Sequence, residues 1–358
     1  MYLSKILLQN FRSYTNQLFE FDPKINLILG PNGSGKTNIL ESIFFLASGK
    51  SFRSSSQSKL INWNSYFASV MAKLVKNPDK ETNEIEVRIV NDPKSAISSI
   101  SRKFLIQKVV KPRKKYLGII KTVVFHPEDI RLVTGSPTRR REFLDNIFSQ
   151  TEWRYTSALS QYHKALKHRN ELLDQIKLNL SSPNELFYWD QVLIKNANII
   201  HDFRINFVKS ANSFFSNHSD SQINTISINY HPSVLTEEKL KKNYVIDLKR
   251  GHTQAGIHRD DFSFDNSIFP ALDKNLAFWG SRGQQRLAVL VLRLAQINFL
   301  EQTYLDKPIL LLDDIFSELD PEHQQLVTTV CQDYQTIFTS PDPESAKILS
   351  TSKIIQLA

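Results

Sequence analysis

The period of the apolar positions changes along this chain, and each change marks an element. Met1–Phe11 alternates loosely and breaks at Asn10-Phe11-Arg12-Ser13-Tyr14. Leu18–Phe21 and Ile25–Leu29 read as strands around an Asp22-Pro23 turn. The spacing of Ile39, Leu40, Ile43, Phe44, Phe45 and Leu46 predicts a helix over Asn38–Ala47. Phe67–Val75 and Glu84–Val90 alternate like two further strands, flanking a turn at Asn77-Pro78-Asp79. Up to Val90 the chain therefore reads as mixed β with one helix.

Thr122–Phe125 reads as a strand ended by His126-Pro127-Glu128-Asp129. A helical period then takes over. Leu159, Tyr162, Leu166, Leu172, Leu173 and Ile176 recur at three- and four-residue steps across Trp153–Asn179. Ser181-Ser182-Pro183 breaks the run, and Glu185–Phe215 resumes it with Trp189, Leu193, Ile200, Phe203 and Phe207 on one face. Two helices of about 40 Å each predict an antiparallel hairpin, too short for an extended coiled-coil arm. Ser221–Tyr230, Tyr244–Leu248 and Phe262–Phe264 read as strands, and Leu287–Leu300, apolar nearly all round, as a buried helix. Ile309–Leu312 and Thr336–Thr339 are short apolar strands. The expected fold is α/β. One core is built from both ends of the chain (residues 1–120 and 251–358), and a mainly helical lobe (121–250) is inserted between them.

The chemistry sits at the strand ends. Leu27–Thr37 matches the phosphate-loop pattern, Gly-x4-Gly-Lys-[Ser/Thr], without a gap. Gly30, Gly33 and Gly35 let the backbone turn its N–H groups onto an anion, with Pro31, Asn32 and Ser34 completing the nucleotide-binding loop, and a helix starting near Lys36 points its positive end the same way. Lys36 would reach the β- and γ-phosphates, and the Thr37 hydroxyl would ligate Mg²⁺. The strand Ile309–Leu312 ends in Asp313-Asp314. Asp313 can hold Mg²⁺ through its water shell, and Asp314 stands where a general base for the attacking water belongs. Lys36 and Asp313 are 277 residues apart, so one site requires a large insertion. Gly280-Ser281-Arg282-Gly283-Gln284-Gln285-Arg286 opens the buried helix and makes a second anion-binding corner. Its plainer reading is a helix cap, Ser281 answered by Gln284. Ser317-Glu318-Leu319-Asp320-Pro321 alone is a turn and a helix start.

Composition adds three things. At 358 residues the chain is long for one core. Forty-five Lys and Arg against 36 Asp and Glu give +9, a balance that suits an anionic partner such as nucleic acid. Cys331 is the only cysteine, and the N-terminus lacks a signal-peptide layout. No apolar run approaches the ~20 residues of a membrane span. A cytoplasmic protein is expected.

The phosphate loop, Ser-Arg-Gly-Gln-Gln-Arg, Leu-Leu-Asp-Asp and Ser-Glu-Leu-Asp, in that order, resemble an ABC-type ATPase head of the SMC/Rad50 kind. The absence of a long coiled coil narrows the resemblance to the RecF family. So do Leu7–Tyr14, Gly49–Arg53, Pro127–Asp129, Gly135–Pro137, Arg139–Asp145 and His258–Asp261. The resemblance implies an ATP-dependent homodimer, with ATP sandwiched between Lys36 and Thr37 of one copy and Ser281, Gly283 and Gln284 of the other. Ser317 and Asp320 would lie in the dimer contact. It also implies binding of single-stranded, duplex or gapped DNA, and work with RecO and RecR to load RecA. Transport-type ATPases and nuclease-bearing heads fit less well. The head is split by an insertion, the chain has no spanning segment, and its end at Ala358 leaves no room for a nuclease domain.

Two departures stand out. Ile257 replaces a proline usual in the family, and Thr339-Ser340 stand where a transporter presents a switch histidine. Turnover should therefore be slow. Gln57 and the Pro127-Glu128-Asp129 corner are the candidates for sensing the γ-phosphate. The candidate DNA contacts are Lys111, Arg113, Lys114 and Lys115, from a basic stretch that begins at Lys108, together with Arg139, Arg140 and Arg141. His258-Arg259 reads equally as a DNA contact, a nucleotide contact or a hydrogen-bonded structural pair.

Overall fold

The computed structural model describes residues 1–54, 56–76, 82–91, 100–269, 273–345 and 353–357. In chain order the elements begin with β1 (Tyr2–Phe11), β2 (Tyr14–Glu20), β3 (Ile25–Leu29), α1 (Lys36–Ser48), β4 (Phe67–Val75), β5 (Thr82–Asn91), β6 (Ile100–Ile106) and β7 (Val109–Lys111). There follow α2 (Arg113–Tyr116), β8 (Thr122–Phe125), α3 (Arg131–Thr134), α4 (Pro137–Ser149), α5 (Trp153–Lys177), α6 (Leu186–Ser216), β9 (Ile226–His231) and α7 (Glu237–Arg250). The chain closes with β10 (Asp261–Asn266), α8 (Leu276–Trp279), α9 (Arg282–Tyr304), β11 (Ile309–Asp313), α10 (Pro321–Cys331), β12 (Thr336–Ser340) and β13 (Lys353–Gln356). It divides into two compact units, Met1–Asp129 with Gln296–Ala358, and Ile130–Ala295. This is an α/β head interrupted by a mainly helical unit. The Asn77-Pro78-Asp79 turn lies outside the described residues.

In the first unit, a six-stranded antiparallel sheet (order β2-β1-β4-β5-β6-β7) and a five-stranded parallel sheet (β13-β3-β12-β11-β8) share one core. α1 fills the space between them. Ile39, Leu40, Ile43, Phe44, Phe45 and Leu46 are all buried, as expected of a helix with strands on two sides. β3, β11 and β12 are buried at every position, as a parallel sheet covered on both faces requires. The parallel order decides where the chemistry lies. β3, β12, β11 and β8 all point their carboxyl ends the same way, so the loops that follow them converge on one edge.

The second unit is built on α5 and α6. Arg169 meets Asp190, and Leu173 and Ile176 pack with Leu186, so the two helices run antiparallel. Two arginines are buried inside. Arg204 donates to Asp145, Asp260 and the Ile257 carbonyl, at 2.8, 2.8 and 3.0 Å. Arg169 donates to Asp190, Asp247 and Thr253, at 2.6, 2.8 and 2.8 Å. Buried charges persist only when paired in this way.

Three expectations change. Tyr244–Leu248 is not a strand but the last turns of α7. Leu240, Tyr244, Asp247 and Leu248 fall at i, i+4, i+7 and i+8, and Tyr244 and Leu248 pack on the Leu173 cluster. Thr236 caps the helix by accepting the Lys239 N–H, and Gly251 ends it in the left-handed conformation. Of Ser221–Tyr230 only the part from Ile226 on is a strand. β6 and β7 form an unexpected hairpin, with Gln107 and Lys108 both at positive φ, so Lys108 is a turn residue.

Candidate nucleotide site and basic surface

The nucleotide residues lie within the first unit. The loop after β3 turns through Gly33 (φ 89°) and Gly35 (φ 99°), and Gly35 is the residue on which α1 begins. A Cβ on Gly35 would lie 2.6 Å from the Tyr14 hydroxyl, so both conformation and space demand glycine there. Lys36 donates to the loop's own carbonyls, Gly30 at 2.6 Å and Pro31 at 2.8 Å. Burial pulls its pKa below the usual lysine value, and the carboxylates of Asp314 and Asp313 oppose that fall.

Residues 276 positions apart meet here. The Thr37 hydroxyl donates to the two carboxylate oxygens of Asp313, at 2.9 and 3.1 Å. Thr339 donates to the same carboxylate at 2.7 Å, because β11 and β12 pair Asp313 with Thr339. The position where a transporter carries histidine thus holds Asp313 through a hydroxyl. Asp314 sits at φ 47°, a left-handed conformation that aspartate tolerates better than most residues, and its N–H donates to the Thr339 carbonyl.

These residues fit Mg²⁺ and a phosphate chain. A hydroxyl and a carboxylate are the hard oxygen donors that Mg²⁺ takes beside phosphate. The Ser34 hydroxyl is buried without a hydrogen-bond partner among the described residues, and a Cβ on Gly33 would meet nothing within 4 Å. The loop therefore offers both an unsatisfied donor and room.

One neighbour of the site was not singled out from sequence. His126 Nε2 lies 3.5 Å from Asp313. β8 pairs Phe125 with Leu312, so the next residue of each strand, His126 and Asp313, emerges side by side. The available signal was that both residues directly follow a short, mainly apolar strand, Thr122–Phe125 and Ile309–Leu312. Gln57 opens a short 3-10 turn, and among the described residues it makes no hydrogen bond to this cluster.

The second anion corner lies in the other unit. Ser281 precedes α9 and forms a reciprocal cap: the Ser281 N–H donates to Gln284 Oε1 at 2.9 Å, and the Gln284 N–H to Ser281 Oγ at 3.3 Å. Ser281 and Gly283 are exposed. Ser317 falls in the 3-10 turn Ile315–Glu318, and its side chain lies outside the described residues. Asp320 caps α10, accepting the His323 N–H at 3.0 Å.

The basic candidates separate by environment. Arg140 is buried and grips Asp261 with two bonds, at 2.6 and 2.9 Å, so the expectation of a surface cation is corrected. Arg113 stacks over Phe104 and donates to the Ser48 carbonyl, and burial brings its pKa down to about 10. It too is held inward. Arg141 donates to the Asp260 carbonyl and to Thr138. Lys111 and Arg139 are half-buried, while Lys114 and Lys115 are exposed. His258 is structural: Tyr162 donates to Nδ1 at 2.7 Å, and Nε2 donates to the Thr253 carbonyl at 3.1 Å.

Residues 2–349 match the family described as RecF/RecN/SMC N terminal domain. The DNA replication and repair protein RecF of Lactobacillus johnsonii is 34% identical over 100% of this chain and 98% of its own length. That of Lachnoclostridium phytofermentans is 36% identical over 95% and 92%. A solved structure of the recombination mediator RecF of the RecFOR pathway with ATP is 29% identical, over 99% of this chain and 95% of that one, with a TM-score of 0.84. The Smc head domain of Pyrococcus furiosus, 18% identical with a TM-score of 0.51 over 99% and 93% of the chains, is alike in fold alone.

Proposed function

This chain belongs to the RecF family, and from that premise we propose that it is an ATP-dependent DNA clamp of recombinational repair. As a DNA replication and repair protein it would bind single-stranded or gapped DNA, dimerise on ATP, and help RecO and RecR load RecA, thereby supporting SOS induction. The observation that carries the reading is the meeting of Thr37 and Asp313 beside the glycine-rich loop.

In this reading the loop's N–H groups beyond Pro31 wrap the triphosphate, and Lys36 exchanges its two loop carbonyls for β- and γ-phosphate oxygens. Thr37 and Asp313 would hold Mg²⁺, which when bound neutralises charge on the phosphates. Asp314 orients the attacking water and accepts its proton. Ser281, Gly283 and Gln284 of a second copy close on the γ-phosphate, and Ser317 and Asp320 line the contact. Exposed Lys114 and Lys115, with Lys111 and Arg139, meet DNA phosphates. Arg141, half-committed to Asp260, contributes less, and Arg113 and Arg140 shape the surface from within. Hydrolysis then opens the dimer. No helix among the described residues is long and apolar enough to cross a membrane.

The test is ATP binding by calorimetry. Lys36→Ala removes a charge-assisted contact to phosphate, and affinity should fall by about ten- to a hundredfold. Unchanged ATP affinity in a folded Lys36→Ala protein would remove the basis of the reading.

A further inference from the structure

Asp313 needs an orienting partner on each oxygen. Thr339 holds Oδ1 at 2.7 Å. Oδ2 is approached by Thr37 at 3.1 Å and by His126 Nε2 at 3.5 Å. If Thr37 turns its hydroxyl oxygen to a cation, His126 is the remaining described contact on Oδ2. Carboxylates that ligate metals are themselves held by hydrogen bonds from outer residues, and losing such a partner typically weakens metal binding 10–100-fold.

The imidazole is set up for that task. The Glu128 N–H donates to His126 Nδ1 at 3.1 Å, so in the neutral ring the proton sits on Nε2, facing Asp313. The His126 main chain is pinned as well: its N–H donates to Asp129 Oδ2, and its carbonyl accepts the Asp129 N–H at 2.8 Å. Phe52 walls the ring at 5.8 Å and itself packs edge-on against Phe44 of α1. The loop carrying Phe52 is tied to Glu41, which is fully buried, accepts the Ser51 hydroxyl and takes two bonds from Arg12. At 3.5 Å the His126 contact is long, and contacts of this kind shorten as a site closes on its ligand.

We propose that His126 is a positioning residue: as an Nε2–H donor it orients Asp313 and so sets the affinity of the nucleotide site for its divalent cation. The Gly49–Arg53 stretch then has a role, since it supplies the wall that aims the ring. The proposal rests on the nucleotide-site reading above.

The experiment compares binding of a fluorescent ATP analogue in Mg²⁺ and in EDTA, using the full chain. The ratio of the two affinities reports the cation's contribution without any turnover. His126→Phe should lower the ratio about tenfold and leave binding in EDTA within about twofold. His126→Gln, which keeps an N–H donor, should recover most of the loss. Should His126→Phe not fold, His126→Asn, too short to reach Asp313, takes its place. An unchanged ratio, an equal loss in both conditions, or failure of His126→Gln to recover would each overturn the proposal. A wild-type chain that binds no nucleotide would instead defeat the nucleotide-site reading, and the role of His126 with it.

Discussion

His258 shows how a residue from a motif can be silent in chemistry and still set a pH limit. Both ring nitrogens are engaged in the neutral form, and burial pushes its pKa down to about 4, helped by the nearby cations of Arg259 and Arg141. A free histidine titrates near 6.5, so as pH falls from about 6.5 towards 4 the unfolded chain takes up a proton that the native chain refuses. Stability present above this window is lost within it. Thermal melts of the wild type and of His258→Gln should therefore converge as pH drops from 7 to 4.5, because the variant lacks this one titration. Parallel curves would show that His258 titrates normally. The sequence left three roles open for His258-Arg259. The choice needed Tyr162 and Thr253, one of them on a helix 96 residues earlier.

At the scale of elements, the same logic explains the Arg139–Asp145 and His258–Asp261 strings. The first reads as a surface DNA contact and the second leaves a structural role open, but both wire the second unit together. Asp145 and Asp260 receive Arg204, Asp261 receives Arg140, and Tyr230 adds its hydroxyl to Asp260 at 2.6 Å. Arg204→Met should cost about 3–5 kcal/mol, because it strands two carboxylates in the interior. Urea unfolding of the variant would measure this, and a loss below about 1 kcal/mol would mean that water already reaches the pair. Elements with one strong period were legible: α1, α5, α6, β3, β8, β11 and β12 lie where the apolar spacing put them, within a few residues. α7 was not, because Tyr-Val-Ile favours strands locally, while a cap at Thr236 and a distant Leu173 cluster decide for helix. Likewise Thr37 and Asp313 were legible because each belongs to a motif with its own chemistry. The place of His126 beside Asp313 was not, because it depends on the register between β8 and β11, which no local pattern encodes.

For the whole molecule, the open question is how two copies would meet, and the cap at α9 offers a handle. Ser281 and Gly283 are exposed at the start of a 23-residue helix, yet the polar groups of Ser281 are satisfied within the chain by Gln284. On the reading proposed above, closure on a second copy's γ-phosphate would have to replace these bonds, and ATP would have to supply the difference. Ser281→Arg places a long side chain where that phosphate would dock, while the nucleotide loop is untouched. The variant should bind ATP with affinity within about twofold of wild type but run as a monomer on gel filtration with ATP and Mg²⁺, where the proposed function expects the wild type to shift to a dimer. DNA retention should fall with it, since a monomer presents half the cations. Wild-type affinity should drop steeply with salt, log K falling by about 0.9 per phosphate neutralised on duplex DNA, and Lys114→Ala with Lys115→Ala should flatten that slope by about two. If Ser281→Arg still dimerises on ATP, the second copy's corner is not what closes over the nucleotide. If it stays monomeric but holds DNA as tightly as the wild type, then closure is not the grip, and the cations of one chain suffice.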